Sequence, residues 1–107
     1  MKQLTKNHIS DFKDHLIAEE KSEATVEKYL RDVCAFFDWL GDEKICKQKV
    51  LDYKKEIIKK YAPASVNSMI AALNNFFEYH NRFELKLRFL KIQRQIFSNG
   101  NKEITKE

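Results

Sequence analysis

Apolar residues recur along this chain every three or four positions, the rhythm of helices that bury one face. The pattern predicts four of them. The first covers about residues 6–20, with Ile9, Phe12, Leu16 and Ile17 turned inward, and "EEKSE" breaks it. The second fills residues 22–41: Ser22 caps the first turn, Glu23 suits its positive end, and Gly41 stands where a terminating glycine belongs. Its core stripe is Val26, Leu30, Val33, Phe37 and Leu40. The third runs over Lys47–Lys60 with Val50, Tyr53, Ile57 and Tyr61 inward, after a connector that tucks Ile45 into the core. Pro63 sets the start of the fourth, because proline is tolerated in a first turn. That helix extends to about His80 on Val66, Ile70, Leu73 and Phe77, broadened by Met69 and Phe76.

Beyond His80 the period shortens to two. Phe83, Leu85, Leu87 and Phe89 alternate with Glu84, Lys86 and Arg88, which predicts an extended strap with its apolar side down and its cations out. "SNGNK" is turn-forming and reads as a linker, with residues from 98 onward expected to be mobile. The fold class is therefore all-α: four helices and a C-terminal extended strap, with no sheet.

Two helices carry a second face. Opposite its core stripe, the second helix presents Ala24, Lys28, Arg31 and Ala35, flanked by Thr25 and Trp39. The far side of the fourth is Ala64, Ser68, Ala71, Ala72, Asn75 and Tyr79, with Asn67 at its edge. Small residues let a helix or a flat partner come close. In the plainer reading, Lys28 and Arg31 are solvated cations neutralised at the surface by Glu27 and Asp32, and the small-residue face packs another helix. Trp39 is expected to pack near the first helix, and Tyr29 and Tyr61 to lie in the core or at its boundary. Lys54, Lys55, Lys59 and Lys60 of the third helix read as solvated, Lys60 being the best placed to reach a phosphate.

Composition narrows the choice. A chain of 107 residues has room for one modest domain, and two glycines and one proline agree with helices throughout. Cys34 and Cys46 form no CxxC, and His8, His15 and His80 have no metal-ligand spacing, so neither metal nor cofactor is expected. The cysteines read as reduced, one packed and one near the surface. No apolar run reaches the roughly 20 residues of a membrane span, and no signal-peptide layout opens the chain, which points to the cytoplasm. The net charge of +4 is uneven: residues 82–102 carry +5, leaving the rest near neutral. A basic strap on a neutral body suits a polyanion.

The order of the pieces resembles the N-terminal core-binding, SAM-like domain of the tyrosine recombinases, the phage-integrase type. The stretches that carry the likeness are "SEATVEKYLRDVCAFFDWL", "VLDYKKEI" and "APASVNSMIAALNNFFEYH", spanning about residues 5–80. "KIQRQIF" is similar to the strap that follows that domain, and "ITKE" to the opening of the catalytic domain. The resemblance implies a SAM-like bundle over residues 1–82 and a basic strap and linker over 83–107, leading toward a catalytic domain. Its partners would be double-stranded DNA, met in the major groove by the second and fourth helices, and that catalytic domain. The implied contact set is Lys21, Thr25, Lys28, Arg31, Lys60, Ala64, Ser65, Asn67, Ser68 and Asn75. It carries over no catalytic residue, so the chain alone is expected not to be an enzyme. The alternative is a small helical protein-interaction module using Trp39 and the neutral face of the fourth helix.

Overall fold

The computed structural model describes residues 4–91; the SNGNK linker, the expected mobility from residue 98, the ITKE ending and all but the first residue of KIQRQIF lie outside them. Four helices follow in order: α1 (Ile9–Ala18), α2 (Glu23–Leu40), α3 (Lys47–Lys60) and α4 (Pro63–Tyr79), with single 3-10 turns at Lys6–His8 and Phe83–Leu85. No strand occurs among the described residues. The all-α expectation holds.

Local chemistry sets the ends. The Ser22 hydroxyl accepts from the Thr25 backbone N–H at 3.2 Å, starting α2. Gly41 ends it at φ 64°, a region that side-chain-bearing residues rarely adopt. The start of α1 falls later than the apolar pattern predicts, because a capping box takes the preceding turn. There the Thr5 N–H donates to His8 Nδ1 at 3.1 Å and the Asn7 N–H to the Thr5 hydroxyl at 3.3 Å.

The core gathers Phe12 and Leu16 from α1, Val33, Phe36 and Phe37 from α2, Val50 and Ile57 from α3, and Val66, Ile70, Leu73, Phe76 and Phe77 from α4. Ile45 of the connector joins it as predicted. Rings meet edge to face, with centroids at 5.3 Å for Phe12 and Phe76 and 5.6 Å for Phe37 and Phe76. Each buried Phe contributes roughly 1.5–3 kcal/mol. Phe36, absent from the predicted stripe, is fully buried because α2 packs against all three other helices and so buries a wide arc.

Several predicted core positions fall elsewhere. Ile17 is 55% exposed, because it follows Leu16 by a 100° turn that carries it off the α1 stripe. Tyr61 is 49% exposed: it is the C-cap of α3, in extended backbone, and the helical phase ends before it. Trp39 stacks on Phe36 and meets Tyr53 of α3 at a 52° tilt, and so belongs beside α3, not α1. The small-residue side of α4 is no single outward face, since Ala72 is buried and Tyr79 stacks on His15 of α1 at 4.4 Å.

The strap is docked by polar groups as much as by apolar ones. Leu85 and Leu87 enter the core, whereas Phe83 and Phe89 stay 58% and 54% exposed. The 3-10 turn at Phe83–Leu85 breaks the two-residue alternation at its start. Asn74 then donates to the Leu87 carbonyl at 2.9 Å and accepts from the Leu87 N–H at 2.8 Å. Asn67 treats Leu90 the same way, at 3.0 and 2.7 Å. Seven helical residues rise about 10.5 Å and three extended residues span about 10 Å, so the two amides match two strap residues three apart. From α3, Lys47 donates to the Lys86 carbonyl and Lys54 to that of Arg88 at 2.8 Å. Lys54 is thus a strap ligand and not simply a solvated cation.

Candidate nucleic-acid interface

Helix α2 packs more extensively on α4 than on any other element. Their outer edges leave a groove of about 350 Å³, lined by Lys28, Arg31, Asp32 and Ala35 of α2, by Ser65, Ser68 and Met69 of α4, and by Tyr61. Lys28, Arg31, Ser65 and Ser68, all marked by the sequence as contact residues, are therefore brought together. Ala35 supplies the small surface between them. Arg31 and Ser65 are exposed, and Ser68 is half-buried.

The second face of α2 is not simply opposite the core. Lys28 turns toward α4, where its ammonium pairs with Asp32, one helical turn on, and donates to the Ser68 carbonyl at 3.3 Å. The Lys28 side chain is 32% exposed and that of Asp32 only 10%. Asp32 is therefore a buried anion rather than the surface neutraliser that its i, i+4 spacing suggests. Its charge acts on α3 as well. Burial first, and then the Asp32 carboxylate, push the Tyr53 phenol up to about 12.

The other candidates are placed differently. Thr25 is half-buried, and its hydroxyl accepts from that of Ser22 at 2.9 Å in the α2 cap. Ala64 is exposed in the first turn of α4, whose N-cap Ala62 makes no side-chain bond. Lys60 is exposed at the end of α3, 3.4 Å from Glu56. Lys21 lines a separate groove between α1 and α2 with Ile17, Val26 and Leu30. Two of the expected contact amides are committed elsewhere: Asn67 holds the strap, and Asn75 donates to the Ala71 carbonyl at 2.9 Å. Asn74 is a polar residue that pattern reading missed, and for Asp32 it missed the burial. The signal for Asn74 was its seven-residue spacing from Asn67.

No group of three or more His, Cys, Asp or Glu residues able to hold a metal occurs among the described residues. No helix there is long and apolar enough to cross a membrane. Residues 9–82 match the phage integrase N-terminal SAM-like domain, a span that begins with α1 and ends just past α4. The chain belongs to the phage integrase N-terminal SAM-like domain family. Among curated relatives it is similar to tyrosine recombinase XerC of Treponema denticola, 37% identical over 70 residues that cover 60% of this chain and 23% of that protein. It is also similar to a tyrosine recombinase of Agathobacter rectalis, 33% identical over 92 residues that cover 80% of this chain and 30% of that protein. The chain thus spans less than a third of the length of either relative. No solved structure matches it significantly. For a SAM-like domain of this family, the α2–α4 groove is the feature in which marked residues from two helices converge.

Proposed function

We propose that this chain is the DNA-binding, non-catalytic N-terminal part of a tyrosine recombinase, serving site-specific recombination by gripping one face of double-stranded DNA. The observation that carries the reading is the convergence of Arg31, Ser65 and Ser68, from two helices, on one shallow groove edged by Ala35. Arg31 neutralises a phosphate. The serine hydroxyls hydrogen-bond phosphates or base edges, and Ala35 and Ala64 let the duplex approach the backbone. The first-turn N–H groups of α4, which no N-cap side chain occupies, add donors at the positive end of the helix. Thr25 and Lys60 flank this surface as secondary contacts, and Lys21 reaches the duplex only if the footprint extends to the α1–α2 side. Residues 83–107 lead toward the catalytic domain, with their first part pinned to α3 and α4.

Titrating a labelled duplex at several salt concentrations tests the reading. Counterion release makes log affinity fall linearly with log salt. Binding without salt dependence, or none at low salt, contradicts it, and a protein-interaction module then becomes the better account. That alternative keeps Trp39, 39% exposed beside Phe36 and Tyr53, but loses Asn67 to the strap. Cleavage or relaxation of supercoiled plasmid by the purified chain is not expected.

A further inference from the structure

The groove that brings these residues together also contains a buried acid. Anionic side chains are poor neighbours for phosphates, so Asp32 calls for an explanation that DNA contact alone does not provide. Its carboxylate lines the groove, only 10% exposed and paired with Lys28, and Lys28 is at the same time tied to the Ser68 carbonyl of α4. The pair therefore does two things. It clips α2 to α4 at the turn that carries Ser68, and it cancels the charge of one of the two cations that line the groove.

We propose that Asp32 is a positioning residue of the interface, holding Lys28 on α4 and withholding its charge from phosphates, so that the groove's general attraction for DNA stays weak. The proposal rests on the DNA-binding reading. With Lys28 held, Arg31 is the groove's uncompensated cation, and discrimination falls to the neutral donors Ser65 and Ser68. A groove with both cations released would bind any duplex more tightly and rely less on those donors. Its weakness is built in by one carboxylate.

Asp32→Asn tests this, because it keeps the size of the side chain and an oxygen for Lys28 while deleting the charge. The probe is a labelled duplex of random sequence, titrated across a salt series. The expected result is severalfold tighter binding at low salt and a log-affinity slope steeper by about 0.9, the increment for one added phosphate contact. Adding Lys28→Gln to Asp32→Asn should abolish that gain. Asp14→Asn, on the exposed side of α1, controls for net charge and should not produce it. Asp32→Ser is the second variant and should steepen the slope as Asp32→Asn does, since the deleted charge is what matters. Folded Asp32 variants with the wild-type slope overturn the proposal, as does a gain equalled by Asp14→Asn. Failure of both Asp32 variants to fold also overturns it, since the carboxylate is then a structural staple. If the wild-type protein itself shows no salt-dependent binding, the DNA-binding reading has failed instead, and the two failures are distinguishable.

Discussion

Asn67 and Ser68 are neighbours on α4, yet one faces a surface already covered and the other an open groove. On the strap side, every polar group that α4 offers is paired within the chain: Asn67 and Asn74 each donate to and accept from one backbone residue. On the groove side, Ser65 and Arg31 remain exposed beside the partly buried Lys28–Asp32 pair. The first arrangement resembles an edge strand built from side chains, and it fixes the strap's register. The second leaves Arg31 and Ser65 exposed at the groove. Polar residues on one helix thus divide into those that build the structure and those left to meet a partner, and their bonding separates them where residue type does not.

That comparison breaks most visibly at Asn74. Asn74→Ala leaves the buried Leu87 N–H and carbonyl without partners, and should cost about 2–4 kcal/mol, read as a lowered denaturant midpoint. A cost below about 1 kcal/mol would mean that the strap is held by Leu85 and Leu87 alone. Asn67→Ala, at a half-buried site, should cost about 1–2 kcal/mol and speed hydrogen exchange at Leu90.

On the groove side, Lys28→Ala strands Asp32. The loss should be about 1–3 kcal/mol, below that of a fully buried pair because Lys28 is one-third exposed. Unchanged thermal stability would show that the pair is not a clip. Tyr53 gives a further check, with the sign fixed by linkage. Its folded pKa, raised from 10.0 to about 12, means that the unfolded chain loses this proton first. Stability should therefore fall as pH rises between about 10 and 12 and be insensitive to this group below. One of the four tyrosines should ionise late in ultraviolet absorbance. Arg31→Ala should be the mildest for the fold, within roughly 0.5 kcal/mol, because the residue is exposed. It should nevertheless shallow the salt dependence of duplex binding by about 0.9.

The helix order, the ends of α2 and α3, Ile45 and most of the core were legible in the apolar spacing, because burial of one stripe imposes that spacing directly. Phe36 was not, since a central helix buries an arc wider than one stripe. Tyr61 and Ile17 look like stripe members in sequence, and lose that position to a helix end and to a 100° offset. The groove proposed to meet DNA was legible in part. Lys28, Arg31, Ser65 and Ser68 do converge, but whether a polar side chain is spent on its own chain depends on what lies across from it. Asn67 was indistinguishable from Ser68 for that reason. Asp32 was visible as the i+4 partner of Lys28, while its burial depended on the approach of α4.

The most direct test of the central claim is amide chemical-shift mapping of the protein as a short duplex is titrated in at low salt. If DNA occupies the α2–α4 groove, the largest changes fall on Thr25, Lys28, Arg31, Ala35, Ala64, Ser65 and Ser68. The Leu87 and Leu90 amides, held by Asn74 and Asn67, stay in place. Changes concentrated on the strap amides or on the α1–α2 groove around Ile17 and Lys21, with Arg31 and Ser65 unmoved, would contradict it.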